Sequence, residues 1–528
     1  MKKIKILFGI LVVLFAVYSC GGGNHAQREI AYKRNYPMSQ VDEEVVPVSE
    51  IEVPPDDEKK QDFNTEEYDV IKENPFVSPF NQPLSTFSVD VDRASYANIR
   101  RMLNNNQKPI GDAVRIEEMV NYFKYDYPQP AGDAPFSVNL EMGTCPWNAK
   151  HKLLLIGLQG KNIDVENTPA SNLVFLLDVS GSMDEPNKLP LLKKSLEILL
   201  EQLRPKDRVA IVVYAGAAGV VLPSTSCDEK DEILDALNKL SAGGSTAGGE
   251  GIKLAYKIAK EDFIDGGNNR VVLATDGDFN IGESSDAAMV RLIEEKRKEG
   301  VFLTVLGFGM GNYKDSKMEQ LSNAGNGNYA YIDNILEAKK TLGKEFFGTI
   351  YTIAKDVKIQ IEFNPAQVKG YRLIGYENRM LAAEDFNDDT KDAGEIGSGH
   401  TVTALYEIIP ANSEEKIQGV DELEYQKKNI VKSDNLMTLK LRYKEPDGET
   451  SKLIKRKVKE KDIFKENNSN NFVWASTVAE FGLLLRDSQY KGDANYKQVI
   501  ENAQKTKGND EEGYRAEFIR LVKIAEAL

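Results

Sequence analysis

The stretch FLLDVSGSMDE, residues 175–185, places three oxygen-bearing side chains at alternating positions directly after a run of large apolar residues. The apolar run predicts a buried strand, and Asp178, Ser180 and Ser182 lie in the loop that follows it. A helical pattern, LPLLKKSLEILLEQL, begins near Leu189. A buried strand, a polar loop and an amphipathic helix in this order are typical of an α/β fold.

The same alternation continues through a central block at about residues 170–348. The apolar runs RVAIVVY, RVVLA and VFLTVLGFG alternate with the helical patterns DEILDALNKL, GIKLAYKIAKEDF and AAMVRLIEEKRKEG. Strands that are apolar throughout are buried on both faces, as in parallel sheets covered by helices. The block therefore predicts a doubly wound, mostly parallel sheet.

Polar loops from three parts of this block are expected to meet at one edge of the sheet. Asp276 ends the strand in VVLATDGDFN, and the glycine-rich loop SAGGSTAGGEG carries Thr246. Ligands of such sheets bind in the crevice outside the carboxyl ends of the strands. We therefore expect Asp178, Ser180, Ser182, Thr246 and Asp276 to lie close together.

All five of these residues offer oxygen atoms. A set of carboxylates and hydroxyls suits a hard divalent cation, Mg²⁺ or else Mn²⁺ or Ca²⁺, whereas zinc and copper prefer histidine or cysteine. Mg²⁺ prefers about six oxygen ligands and keeps waters where the protein supplies fewer. The sequence thus predicts a divalent metal site whose coordination shell the protein does not fill.

In the pattern D-x-S-x-S, followed by a threonine and a T-D-G turn, the chain resembles the von Willebrand factor type A domain with its metal-ion-dependent adhesion site. The resemblance implies that Ser180, Ser182 and Thr246 bind the metal directly, and that Asp178 and Asp276 bind it directly or through water. It also implies that an exposed Asp or Glu of a partner protein takes the last position. The surrounding loops would form a partner-binding rim that includes Met183, Gly244, Ser245, Gly277 and Phe279.

The flanking segments DVDRASYANIRRML, AVRIEEMVNYFKYDYP, AKDVKIQIEFNP and GYENRMLAAEDFNDD resemble bacterial lipoproteins that enclose such a domain. This likeness covers nearly everything from Phe76 to Leu528 and implies an architecture more than an activity. Alternating apolar segments precede and follow the central block, so we expect one antiparallel β-sandwich from which the metal domain projects. The last two helical patterns, FVWASTVAEFGLLLRD and YRAEFIRLVKIAEAL, have apolar stripes that should face a core.

The N-terminus has the pattern of an export signal. Three lysines within the first five residues precede an apolar run, Ile6 to Val17, that ends just before Cys20. This resembles a lipoprotein signal and implies lipid on Cys20, an anchor in a membrane of the bacterial cell envelope; an ordinary signal peptide is the alternative. The acidic, proline-rich segment that follows predicts a disordered spacer. The expected organisation is a signal at 1–20, a spacer at 21–75, an N-terminal α+β region at 76–169, the metal domain at 170–348 and a β-rich region with terminal helices at 349–528.

Composition and missing motifs argue against several functions. A net charge of -15 argues against nucleic acid as a partner, and GGSTAGGEG lacks the lysine of a nucleotide-binding P-loop. A haloacid-dehalogenase phosphatase would need an acid where Ser180 stands. A Ser-His-Asp hydrolase would need His151 or His400, and neither lies in a strand-end loop. Whether Cys145 and Cys227 pair stays open, because two cysteines do not define a disulfide framework.

These observations favour a membrane-tethered, divalent-metal-dependent binding protein that is not an enzyme. A structural assembly factor of the envelope, in which the metal only stabilises a loop, is the second hypothesis. An envelope hydrolase is the third.

Overall fold

The computed structural model of the protein describes residues 66–89, 92–244, 248–277, 286–311, 313–417, 430–431 and 433–528. The predicted signal, Cys20 and most of the predicted spacer lie outside these residues, as do Ser245, Thr246 and Phe279. In the described ranges, no helix combines the length and the apolar character needed to cross a membrane.

The elements follow the alternation that the sequence predicts, with several additions. The strands of the described residues are β1 (Leu84–Ser88), β2 (Phe136–Cys145), β3 (Asn148–Gly160), β4 (Ser171–Asp178), β5 (Arg208–Ala215), β6 (Ala217–Ser226), β7 (Asn268–Thr275), β8 (Val301–Gly307), β9 (Tyr329–Tyr331), β10 (Thr352–Phe363), β11 (Val368–Ile374), β12 (Gly394–Gly397), β13 (Thr401–Pro410), β14 (Asn435–Lys444) and β15 (Lys452–Lys459). The α-helices are α1 (Ala94–Asn104), α2 (Ile116–Asn121), α3 (Leu189–Gln202), α4 (Lys230–Asn238), α5 (Gly248–Glu261), α6 (Asp286–Lys298), α7 (Asp315–Ala324), α8 (Ile335–Ala338), α9 (Phe346–Ile350), α10 (Glu460–Ile463), α11 (Asn470–Leu485), α12 (Tyr496–Thr506) and α13 (Tyr514–Ala527).

The central block is a doubly wound sheet with the strand order β6-β5-β4-β7-β8-β9. All pairings in it are parallel except that of the edge strand β6 with β5. Helices α3, α4 and α8 share a core with one face of the sheet, and α5, α6 and α7 share a core with the other. The predicted fold class is confirmed, and β4 lies in the middle of the sheet, where its carboxyl end is flanked by two neighbours.

Strands from both sides of the central block form the predicted antiparallel sandwich. One sheet has the order β11-β13-β3-β2, and the other has the order β1-β10-β14-β15 with β12 on β10. Residues of both sheets, such as Ile156 and Ile359, are buried in a common core. The metal domain is inserted between the strands of this sandwich, and Ala94 and Ala97 of α1, a helix that precedes the inserted domain, pack in the core of its sheet.

The terminal helices cover the outer face of the β11-β13-β3-β2 sheet. Trp474 of α11 and Phe518 of α13 lie 5.3 Å apart, edge to face, in a core that also contains Leu153 and Leu155 of β3. The apolar stripes of these helices thus face a core, as predicted. Both cysteines are free thiols buried in separate cores, Cys145 here and Cys227 in the metal domain.

One boundary differs from the prediction. Residues 66–75, assigned to the spacer, contact the folded body: a carboxylate oxygen of Glu66 lies 2.8 Å from Arg101, and the Asn74 amide donates to the carbonyl of Gly375 at 2.8 Å. The predicted spacer therefore extends too far toward the C-terminus. The reason is that residues 66–75 contact the body through polar groups, and such contacts do not produce an apolar pattern in the sequence.

Candidate metal centre

Asp178 is the last residue of β4 and is fully buried. Its Oδ1 accepts a hydrogen bond from the Ser180 amide at 2.9 Å. Its Oδ2 accepts from the Tyr214 hydroxyl at 3.1 Å and from the Thr275 hydroxyl at 3.4 Å. Tyr214 is the register partner of Asp178 on β5, and Thr275 ends β7 on the other side. Both neighbouring strands therefore fix the orientation of this carboxylate.

The two motif serines lie at a short 3₁₀ turn, Gly181–Asp184, that follows β4. Their hydroxyl oxygens are 3.1 Å apart, with Ser180 buried and Ser182 exposed. The Gly181 amide donates to the carbonyl of Gly244 at 3.0 Å, which ties this turn to the glycine-rich loop. One hydroxyl of the pair thus lies in the protein interior, and the other lies at the surface.

Asp276 follows β7 and is 3% exposed. The turn behind it is closed by the Gly277 amide, which donates to the Thr275 hydroxyl at 3.2 Å. Gly277 has φ +99, a conformation that side chains with a Cβ rarely adopt. Burial raises the pKa of Asp178 to about 6, with a contribution from the charge of Asp276 and against the hydrogen bonds from Ser180. The negative charge of Asp276 thus disfavours the charged form of Asp178.

Lys188 also belongs to this site. Its ammonium lies 3.2 Å from Oδ2 of Asp276 and donates to the carbonyl of Ser182 at 3.0 Å. The pattern of strand, loop and helix in the sequence does not single out Lys188. The sequence does show a lysine ten residues after Asp178. Whether the side chain of this lysine points toward the aspartates depends on the path of the turn between the two residues.

The donor set of the described residues fits a hard divalent cation. Two buried carboxylates and two neighbouring hydroxyls converge, and a positive charge is already present among them. Burial of like charges is costly unless a counter-charge offsets it, so this arrangement favours binding a cation. Asp178, Ser180, Ser182 and Asp276 would hold the ion, while the predicted fifth ligand, Thr246, lies outside the described residues.

The predicted rim requires one correction. Met183 is 0% exposed and packs in the core shared with α3, so it cannot contact a partner in this conformation. The 3₁₀ turn directs its apolar side chain inward, where burial is favourable. Gly244 is exposed beside the crevice, Gly277 is buried in its turn, and Ser245 and Phe279 lie outside the described residues.

The histidines of the hydrolase hypothesis lie elsewhere. His151, on β3, is held between Glu407 at 2.6 Å and Glu415 at 2.8 Å. His400, just before β13, lies 2.6 Å from a guanidinium nitrogen of Arg93, and burial lowers its pKa to about 3. Each histidine thus takes part in a polar network of the sandwich, away from the loop after β4.

Family comparisons agree with this fold. Residues 172–344 match the family model of the von Willebrand factor type A domain, and residues 62–155 match one described as von Willebrand factor. The protein is therefore a von Willebrand factor type A domain protein. Residues 348–528 match the C-terminal region of uncharacterized protein YfbK. The chain is 43% identical to YfbK of Escherichia coli (strain K12) over 477 residues, 88% of this chain and 82% of that protein, and it belongs to the YfbK family.

Two solved structures are similar to parts of this chain. A von Willebrand factor type A structure from Catenulispora acidiphila is 17% identical and covers 74% of this chain and 89% of its own, with a TM-score of 0.41. An aerotolerance-related membrane protein from Bacteroides fragilis NCTC 9343 is 23% identical and covers 33% of this chain and 98% of its own, with a TM-score of 0.28.

Proposed function

We propose that this protein is a divalent-metal-dependent binding protein without enzymatic activity, which captures a protein partner at the carboxyl edge of its central sheet. The observation that carries the proposal is the buried Asp178 carboxylate beside two hydroxyls only 3.1 Å apart, one of them exposed. The cation is Mg²⁺, with Mn²⁺ and Ca²⁺ as alternatives of the same oxygen-ligand chemistry.

The partner presents an exposed Asp or Glu. Hydroxyl ligands are neutral, and part of the charge of Asp276 is already opposed by Lys188. A divalent ion in this shell keeps positive charge, which an outside carboxylate meets better than water does. The exposure of Ser182 supports access from solvent.

The metal site is tested by Asp178→Asn, which keeps the shape of the side chain and an oxygen that accepts hydrogen bonds. We expect calorimetric titration of the purified protein with Mg²⁺ to show binding that this variant loses, because a charged ligand is removed. Asp184→Asn is the matched control, since Asp184 is an exposed acid on the same turn. Equal Mg²⁺ binding by Asp178→Asn and the unmodified protein would place the ion elsewhere.

Partner capture is tested in native envelope extract with and without EDTA. We expect EDTA to release the partner while the protein stays folded, and we expect conversion of the contacting acid of the partner to its amide to have the same effect. Unfolding in EDTA would instead favour the structural assembly factor, in which the ion stabilises the fold.

We further propose that lipid on Cys20 holds the protein to a membrane of the bacterial cell envelope. The support is the basic start, the apolar run and the position of the cysteine in the sequence. Cys20→Ser should abolish incorporation of radiolabelled palmitate, whereas Cys227→Ser, which changes a buried thiol, should not. Persistent labelling of Cys20→Ser contradicts the lipid anchor.

A further inference from the structure

Lys188 is held inside the candidate metal centre by charge and hydrogen bonds. Its side chain is 7% exposed, and its ammonium lies 3.2 Å from a carboxylate oxygen of Asp276 and 3.8 Å from Glu185. The carbonyl of Ser182 accepts a further hydrogen bond at 3.0 Å. A buried ammonium is stable only where carboxylates and carbonyls replace its water. The groups around this ammonium therefore suit a positively charged side chain.

The loop after β8 leaves room for the lysine stem. Gly309 has φ +76, and a Cβ at this position would lie 2.5 Å from the Cε of Lys188. The Tyr331 hydroxyl donates a hydrogen bond to the Gly309 carbonyl, which fixes the loop in this place. Backbone shape thus supports the lysine independently of the charges around its ammonium.

We infer that Lys188 is an internal counter-cation of the metal centre. It neutralises Asp276 while no divalent ion is bound, and it competes with the ion for that carboxylate when one enters. This inference rests on the proposed function and adds that the protein itself limits the affinity of its site for metal. A nearby unit charge changes the proton affinity of a carboxyl group by roughly 10- to 1,000-fold, and a divalent ion responds to the same field.

The test compares Lys188→Gln and Lys188→Met with the unmodified protein. Glutamine removes the charge and keeps a hydrogen-bond donor, whereas methionine removes both. We expect both variants to bind Mg²⁺ at least about tenfold more tightly in calorimetric titration, because the competing charge is gone. In EDTA, where Asp276 loses its counter-charge, we expect Lys188→Met to melt at a lower temperature than the unmodified protein.

Lys194→Gln is the matched control, because Lys194 is an exposed lysine on α3, the helix that directly follows Lys188. It makes the same change in net charge and should leave both Mg²⁺ affinity and melting temperature unchanged. If the unmodified protein binds Mg²⁺ and neither Lys188 variant binds it more tightly, the counter-cation role is wrong. Tightening by methionine alone also contradicts it, because the charge would then not be the cause. If none of the proteins binds Mg²⁺, Mn²⁺ or Ca²⁺, the proposed metal site itself is wrong.

Discussion

Gly309 shows that the candidate metal centre depends on a residue with no polar side chain. Its left-handed backbone conformation turns the loop after β8 against the Lys188 stem. An alanine here would carry both a conformational cost and a steric one, because its Cβ would overlap the lysine. The geometry of the charged groups therefore depends on a position that contributes no charge.

We predict that Gly309→Ala destabilises the protein by about 2 kcal/mol or more and alters Mg²⁺ affinity. Roughly 1 kcal/mol comes from placing alanine in the left-handed region, and the rest comes from moving Lys188. Thermal unfolding and Mg²⁺ titration measure the two effects. Gly266→Ala is the control, since Gly266 has φ +66 but nothing within 4 Å of the added Cβ. Equal losses in the two variants would show that the contact with Lys188 contributes nothing.

The order of elements could be predicted where the apolar pattern is strong. The run LVFLL predicts β4, which extends only a few residues beyond it as Ser171–Asp178. The edge strand β6 was missed because its exposed Val220 and Val221 interrupt the alternation of buried and exposed side chains. The helix α12 was missed because it is short and mostly polar, although Asn495 caps its first turn at 2.9 Å.

The candidate site could be predicted only in part. The positions of Asp178 and Asp276 at neighbouring strand ends follow from parallel topology, since all such ends share one edge. The roles of Tyr214 and Lys188 depend on strand register and on the path of a turn, which a single sequence does not specify. The path of the turn also directs the side chain of Met183 inward, so the predicted rim was wrong at that residue.

At the level of elements, the pair α11 and α12 contains a buried carboxylate. Glu480 of α11 is fully buried and accepts a weak hydrogen bond from the Asn495 amide at 3.3 Å, just before α12. Burial raises the pKa of Glu480 to about 7, despite the hydrogen bonds from Asn495 and Gln498. The stability of the contact between these helices should therefore depend on pH near neutrality.

We predict that Glu480 makes the protein less stable as the pH rises from about 4.5 to 7. In this window the unfolded chain has already released the proton that the folded chain still binds, so each rise in pH favours unfolding. Glu480→Gln should remove this pH dependence. At pH 8 its free energy of unfolding should exceed that of the unmodified protein by about 2–3 kcal/mol. Urea unfolding at pH 5 and pH 8 measures it. Glu501→Gln, at an exposed position of α12, should not change the pH profile, and a profile shared by all three proteins would contradict the role of Glu480.

At the level of the whole molecule, one buried arginine joins three parts of the chain. Arg100 of α1 is 1% exposed, and its guanidinium lies 2.8 Å from Asp333 and 2.7 Å from Glu337, both near the end of the metal domain. It also lies 3.1 Å from Glu517 of α13. The metal domain, the helix before it and the C-terminal helix thus share one ion-pair network. We expect the three parts to unfold together, although they are far apart in sequence.

We predict that Arg100→Met lowers the free energy of unfolding by about 3–5 kcal/mol, because Asp333 and Glu337 are then buried without their cation. The loss should loosen the contact between the metal domain and α13, so limited proteolysis should cut the variant within the connecting segments before it cuts the unmodified protein. Arg520→Met is the matched control. Arg520 also approaches Glu517, at 4.0 Å, but its side chain is 52% exposed, so its removal should change stability by no more than about 0.5 kcal/mol. Similar stability and proteolysis for the two variants would mean that the buried network does not couple the three parts.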